Sequence, residues 1–339
     1  MKILLTGGGT AGHVMPFVAL APYLTKYFDE IVYAGSENGM ERGIVSSLSI
    51  PYYSTPTVKY DRGKPLSLLT IPFSLHTAKN KAISLLETLR PDIVFSKGGY
   101  VALPTTLAAH TLGIPIAIHE SDYSMGLANK LSSRYAELIL TNFPDTHPRG
   151  EVVGIPLRDS IFSPHLSSTH YRIDRRLPTI LVTGGSSGAK VLNDCIIQSL
   201  DRLLPRYNII HLTGGKCIHL VKDRYIPISY TEDIGSIFGL SDLVVSRAGA
   251  NTATELLALG KKVLFVPLSS GRGDQIENAK YYQDAGYSLT LNEENMSVDS
   301  LVEGIENLAH FSPKPYPYDR DTPRYIAERL YRLAISKNN

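Results

Sequence analysis

The chain has 339 residues, a formal net charge of +2, 43% hydrophobic and 19% charged residues. This balance excludes a disordered chain and a broadly basic nucleic-acid binder, and the length suffices for two ordinary domains. The two cysteines, Cys195 and Cys217, form no Cys-x-x-Cys pair and leave no thiol set for zinc, so reduced thiols in a cytosolic setting are expected. Lys2-Ile3-Leu4-Leu5 reads as a strand rather than a secretory signal, and no run of about 18 apolar residues occurs.

Short apolar runs alternate with helical periodicities, which predicts βαβ units and parallel sheets. In the first half, strands are expected near 2–6, 30–34, 92–96, 114–118 and 137–141. Helices are expected over 14–27, 38–47, 77–89, 102–112 and 125–134. In the second half, strands fall near 178–183, 207–212, 225–229, 242–246, 262–266 and 286–290. The helices there lie near 188–203, 232–239, 251–260, 274–284 and 297–309. Gly154-Ile155-Pro156-Leu157-Arg158 closes the first domain, and residues 160–177 read as a polar connector. Alternating prolines at 313, 315 and 317 exclude a helix there. A last helix from about Thr322 carries Ile326, Leu330 and Leu333 on one face, suited to a return to the first domain. The expected organisation is 1–158 with 322–339, and 159–321.

One short pattern occurs twice. Residues 4–12 read Leu-Leu-Thr-Gly-Gly-Gly-Thr-Ala-Gly, and residues 181–189 read Leu-Val-Thr-Gly-Gly-Ser-Ser-Gly-Ala. Each joins an apolar strand to a helix start through a glycine turn, a device that cradles phosphate with backbone N–H groups and a helix dipole. Two copies predict two similar doubly wound α/β domains facing one ligand across a cleft. Gly7-x-Gly9-x-x-Gly12 also fits the dinucleotide fingerprint. That fingerprint wants an acid at the end of the second strand. Here the strand ends Val32-Tyr33-Ala34-Gly35-Ser36, with Glu37 one step late.

His13 follows the first glycine turn, where an imidazole suits general-base work on a sugar hydroxyl. Ser246-Arg247-Ala248-Gly249 precedes a helix opened by Ala250, Asn251 and Thr252, whose N–H groups suit phosphate. Glu255 lies one turn further and can accept from two ribose hydroxyls; its alternative is a capping box with Thr252. Asp274 and Gln275 open another helix beside Asn278, with groups suited to sugar hydroxyls. Lys97-Gly98-Gly99-Tyr100 and His119-Glu120-Ser121-Asp122 end two strands of the first sheet. Asp319-Arg320-Asp321 lies in the proline-rich linker and is not read as a metal site. The reading calls for no metal and no cofactor.

These motifs, in this order over nearly the whole chain, resemble the MurG family of glycosyltransferases. The resemblance rests on Gly8–His13, Lys97–Tyr100, His119-Glu120 with Gly126–Lys130, Gly154–Arg158, Gly184-Gly185-Ser186, Ser246–Ala250, and Asp274-Gln275 with Asn278-Ala279. It implies a GT-B fold of two Rossmann-like domains, with no nucleic-acid partner. It also implies inverting transfer of N-acetylglucosamine from its UDP donor to the muramyl 4-hydroxyl of lipid I, giving lipid II. Donor contacts carried over are Thr10, Ala11, Gly12, Arg158, Ser186, Ala250, Asn251, Thr252, Glu255, Asp274 and Gln275, with the Thr231 backbone at the uracil. Acceptor contacts carried over are Gly8, Gly9, Gly98, Gly99, Tyr100, Glu120, Asp122 and Asn129, with the pyrophosphate on the glycine loops. Ser121-Asp122 departs from the family's Gln-Asn, and Ser187 from its glutamine. An added carboxylate at Asp122 repels pyrophosphate unless a cation offsets it. A UDP-N-acetylglucosamine 2-epimerase, a nicotinamide oxidoreductase and a non-catalytic sugar-nucleotide sensor are the alternatives.

The polyprenyl acceptor implies contact with anionic lipid on the cytoplasmic face of the membrane. Residues 59–81 supply Lys59, Arg62, Lys64, Lys79 and Lys81 around Leu66, Leu68, Leu69, Ile71, Phe73 and Leu75. The alternative is that these apolar residues are ordinary core.

Overall fold

A computed structural model describes residues 1–57, 71–163, 171, 173–185 and 189–338. The expected basic and apolar residues at 59–70, and Ser186 and Ser187, lie outside the described residues. The chain divides into two compact units, Met1–Arg158 with Asp319–Asn339, and Asp159–Tyr318.

The first unit is built on a parallel sheet of order β3-β2-β1-β4-β5-β6-β7. Its strands are β1 Lys2–Thr6, β2 Glu30–Gly35, β3 Tyr52–Ser54, β4 Ile93–Ser96, β5 Ile116–Glu120, β6 Leu138–Thr141 and β7 Glu151–Val152. Helices cover both faces, which is why the central strands are apolar at nearly every position. Ile3 and Leu5 join Phe17 and Leu20 of α1 (Met15–Leu24) in one core. Leu4 points the other way, to Ala82 and Leu86 of α3 (Ile71–Leu89). The remaining helices before the linker are α2 (Met40–Ser46), α4 (Leu103–Leu112) and α5 (Leu127–Ser132).

The sequence reading omits β3 and β7, which have three and two residues and flank the sheet, so neither carries an apolar run. Helix α3 starts six residues before the expected 77, with Pro72 in its first turn, where a missing N–H has no consequence.

The second unit has a parallel sheet of order β10-β9-β8-β11-β12-β13. Its strands are β8 Thr179–Thr183, β9 Asn208–Leu212, β10 Tyr225–Ile228, β11 Leu243–Ser246, β12 Lys262–Phe265 and β13 Leu289–Thr290. Helices α6 (Lys190–Leu203), α7 (Ile234–Leu240), α8 (Ala250–Ala258), α9 (Asp274–Asp284) and α10 (Val298–His310) connect or follow them. Strand β13 is shorter than expected, because Gly286 still belongs to the turn that ends α9, with φ of 81°.

The last helix, α11 (Thr322–Asn338), packs in the first unit. Ile326, Ala327, Leu330 and Ala334 are fully buried in the core that holds α1. Arg329 and Tyr325 both bond the Glu151 carboxylate of β7, at 2.7 and 2.6 Å.

In each sheet the chain winds outward in both directions from one pair of neighbours, β1 beside β4 and β8 beside β11. Doubly wound sheets bind ligands at such reversals, outside the strands' carboxyl ends. Thr6 is in register with Ser96, and Thr183 with Ser246. Both copies of the repeated glycine turn therefore leave a strand at the reversal.

Candidate active site

In the first unit, the chain passes from β1 through Gly7–Thr10 into a 3-10 turn, Ala11–His13, and then into α1. The turn lies tight against the loop after β4. A Cβ on Gly99, whose φ is 80°, would sit 2.3 Å from the Gly8 carbonyl oxygen, and one on Gly9, at φ 86°, 2.6 Å from the Tyr100 ring. Only glycine permits this approach. Thr10 Oγ1 lies 3.0 Å from His13 Nδ1.

The loop is braced from beneath by a residue that sequence reasoning missed. Glu41, in the first turn of α2, is fully buried, accepts from the Ser36 N–H at 3.0 Å and the Ser36 hydroxyl, and lies 3.4 Å from the Gly9 nitrogen. Tyr33 donates its hydroxyl to the Gly7 carbonyl at 2.7 Å. The Gly9 N–H, expected to face an acceptor, thus points at a carboxylate of the protein. Burial, reinforced by Glu41, raises the Tyr100 hydroxyl pKa above its ordinary value. Glu41 sits among surface-like Met-Glu-Arg residues, with no periodicity that marks it as buried.

After β4 comes Lys97, 1% exposed. Its ammonium bonds His119 Nδ1 and, at 2.7 Å, Ser121 Oγ. Burial pushes it down to about 7, against the pull of the Glu120 and Asp122 carboxylates. His119 is held well below the usual imidazole range by burial and by Lys97, despite its bond at 2.8 Å to the Gly154 carbonyl. That bond fixes the proton on Nε2 and leaves Nδ1 to accept from Lys97.

Glu120 is committed to its own loop. Its two oxygens accept from the N–H groups of Ser121, Asp122 and Gly126 at 3.0, 3.2 and 2.9 Å, and from Asn129 Nδ2 at 2.9 Å. Asn129 also donates to the His119 carbonyl and is 2% exposed. Both residues therefore shape the loop after β5, and Asp122, half-buried, stands at its surface. Arg158 ends the first of this unit's two chain segments.

In the second unit, Gly184 and Gly185 follow β8, and Gly185, at φ 78°, bonds Thr183 Oγ1 through its N–H. Gly249 caps α8 and offers no side chain to the first-turn donors of the helix. Thr252 is the third residue of α8 rather than its cap, which removes the capping-box alternative for Glu255. The loop before α9 is held by Arg247, 7% exposed, which donates to the Val266 carbonyl at 2.9 Å and pairs with Glu293. Glu293 in turn accepts from the Ser269 N–H and hydroxyl. Burial raises the Glu293 carboxyl, but these bonds outweigh it and the net shift is downward. Gln275 accepts from the Leu268 N–H at 3.1 Å, and Asp274 lies 3.5 Å from Arg272. Asn278 is buried and donates to the Ala248 carbonyl, tying α9 to the loop after β11. Thr231 Oγ1 accepts from the Asp233 N–H, so its hydroxyl serves the turn into α7.

The glycosyltransferase family 28 N-terminal domain model matches residues 3–141, and the C-terminal domain model of that family matches residues 179–332. A UDP-N-acetylglucosamine–N-acetylmuramyl-(pentapeptide) pyrophosphoryl-undecaprenol N-acetylglucosamine transferase from Lachnospira eligens is 42% identical over 322 residues, 91% of this chain and 90% of that protein. The chain belongs to the MurG family of these glycosyltransferases. A Clostridium perfringens protein of the same name is 38% identical over 91% of this chain and 90% of its own. The crystal structure of Acinetobacter baumannii MurG is 28% identical, covers 98% of this chain and 93% of its own, and superposes with a TM-score of 0.73. The fold is accordingly GT-B. A UDP-GlcNAc 2-epimerase from Neisseria meningitidis shares this fold at 16% identity and a TM-score of 0.64.

Proposed function

We propose that this MurG-family chain moves N-acetylglucosamine from UDP-N-acetylglucosamine to the muramyl 4-hydroxyl of undecaprenyl-pyrophosphoryl-MurNAc-pentapeptide (lipid I). The products are lipid II and UDP, with inversion at the sugar, as a step of peptidoglycan synthesis. The observation that carries this reading is the 42% identity over 91% of the chain to a transferase named for that reaction.

The second unit is the donor side in this reading. The N-terminus of α8 and Arg158 meet the diphosphate, Glu255 holds the ribose, and Asp274 and Gln275 meet the transferred sugar. The bond from the Asp233 N–H to the Thr231 hydroxyl supports a backbone role for Thr231 at the uracil. Ser186 and the run Thr10–Gly12 complete the donor contacts. The first unit is the acceptor side, with pyrophosphate against Gly8–Gly9 and Gly98–Gly99 beside Tyr100. Because Glu120 and Asn129 bond inside their loop, they shape this site rather than touch the ligand. His13 takes the proton of the 4-hydroxyl as its oxygen attacks the anomeric carbon, and the bond from that carbon to UDP breaks on the opposite face. The helix dipole of α8 offsets charge on the departing diphosphate.

No helix among the described residues is long and apolar enough to cross a membrane. Access to a polyprenyl acceptor then calls for peripheral contact with anionic lipid on the cytoplasmic face. The first half of α3 and its middle support it: Phe73 is 82% exposed and Lys81 is exposed. The deciding assay follows radiolabelled UDP-N-acetylglucosamine with and without a lipid-linked acceptor. Label in the lipid fraction with release of UDP is expected. An epimer formed without acceptor, or binding without turnover, overturns the reading.

A further inference from the structure

The two units place a basic residue at the same step of their sheets. Lys97 follows β4 and donates its N–H to the Thr6 carbonyl at 2.9 Å; Arg247 follows β11 and donates its own to Thr183 at 3.2 Å. Both side chains are buried directly beside a glycine turn. Their partners differ. Arg247 is neutralised by Glu293, whose side chain is 10% exposed. The Lys97 ammonium instead bonds neutral groups, the His119 ring and the Ser121 hydroxyl. Its charge is therefore not cancelled within a contact pair. The carboxylates that act on it are those of Glu120 and Asp122. Glu120 is enclosed by the four donors of its loop, whereas Asp122 is half-buried at the loop surface.

Asp122 sets a problem for an anionic ligand. Burying a negative group beside a diphosphate opposes binding unless a cation lies close, and a low-dielectric setting strengthens both effects. Lys97 brings an ammonium to this loop, bonded to Ser121 Oγ at 2.7 Å next to Asp122. It lies one residue before Gly98, and its Cβ is 3.2 Å from where a Cβ on Gly7 would stand, so it underlies both glycine loops. Ser121 bonds this ammonium, and Asp122, the next residue, acts on it together with Glu120.

We propose that Lys97 is a positioning residue of the acceptor site: its buried ammonium offsets Asp122 and holds the Gly98–Gly99 turn in a state that accepts the acceptor's pyrophosphate. The proposal rests on the lipid I reading above. It concerns acceptor recognition alone and leaves the donor side untouched.

The test uses the full chain with UDP-N-acetylglucosamine and a short-chain soluble lipid I analogue, measuring kcat and both KM values for wild type, Lys97→Met and Lys97→Met/Asp122→Asn. Lys97→Met raises the acceptor KM about tenfold or more, the size of one lost charged interaction, and leaves the donor KM unmoved. Adding Asp122→Asn brings the acceptor KM back toward wild type, a rescue that loss of packing does not produce. An unchanged acceptor KM in Lys97→Met, or a double variant no better than the single, overturns the proposal. Should Lys97→Met fail to fold, Asp122→Asn alone decides: its acceptor KM falls, and a KM that rises or stays overturns the proposal. Failure of wild type to transfer to the analogue at all overturns the lipid I reading, and this proposal with it. Normal wild-type transfer with no Lys97 effect overturns this proposal only.

Discussion

Thr10 and His13 are joined through Thr10 Oγ1 and the ring Nδ1, 3.0 Å apart. The bond bears on which ring nitrogen is available as a base. A threonine hydroxyl can donate or accept. When it accepts, the imidazole carries its proton on Nδ1 and presents Nε2 unprotonated, the form a general base requires. Thr10 then orients the ring and selects its tautomer. His13→Ala is expected to lower turnover by about 10²–10⁴-fold with UDP affinity intact. Thr10→Val lowers kcat by less, and Thr10→Ser keeps it. Near-normal kcat in His13→Ala, measured with soluble acceptor, would place the base elsewhere.

Glu255 stands in the second turn of α8, behind the helix N-terminus that the proposed function places at the diphosphate. Hydrogen bonds from ribose hydroxyls to a carboxylate are worth about 1.5–3 kcal/mol. Glu255→Ala should therefore weaken UDP by roughly 10–150-fold in calorimetry, with an unchanged melting temperature. Equal affinity in the two proteins rejects the ribose assignment.

The parallel-sheet architecture is legible in the sequence because central strands covered on both faces are continuous apolar runs, as in Ile3-Leu4-Leu5 and Val244-Val245. The glycine turns are legible because backbone approach and positive φ leave little choice of residue. What escapes is the layer beneath them. Glu41, Lys97 and the pair Arg247–Glu293 are charged residues that look like surface until the fold encloses them. Their partners come from loops up to 46 positions away, as Arg247 and Glu293 do. Glu120 shows the converse: a carboxylate at a strand end reads as a ligand-facing group, yet four loop donors consume it.

Helix α3 supplies a test of membrane contact. Ala78, Ala82 and Leu86 form its buried stripe, while Phe73, Thr77 and Lys81 repeat every fourth residue on the solvent side. Lysines near anionic lipid contribute about 1 kcal/mol each. Charge reversal at Lys64, which lies outside the described residues, together with Lys79 and Lys81, should reduce sedimentation with anionic vesicles. It should also slow transfer to a long-chain acceptor while a short-chain soluble acceptor is used normally. Equal loss with both acceptors, or undiminished vesicle binding, would show that the contact lies on another face.

The second unit contains an acid-sensitive buried group. His211 on β9 is fully buried between Asn193 of α6 and Tyr225 of β10. Asn193 spends its amide N–H on the Thr213 carbonyl, so its Oδ1 faces the ring and accepts from Nε2–H at 3.0 Å. Nδ1 then accepts from the Tyr225 hydroxyl at 2.9 Å. Both bonds suit the neutral ring, and burial pushes His211 from its ordinary 6.5 down to about 4. The unfolded chain takes up this proton first as pH falls. The stabilising contribution is therefore complete above pH 6.5 and is lost progressively down to about pH 4. That interval corresponds to about 3 kcal/mol. His119, also depressed, adds to the acid sensitivity of the first unit. Comparison with His211→Gln isolates the second, because His119 is common to both proteins. Urea unfolding at a series of acid and neutral pH values should show wild type losing about 3 kcal/mol more than the variant across this range. Parallel pH profiles would mean that the His211 ring is protonated without penalty in the folded state.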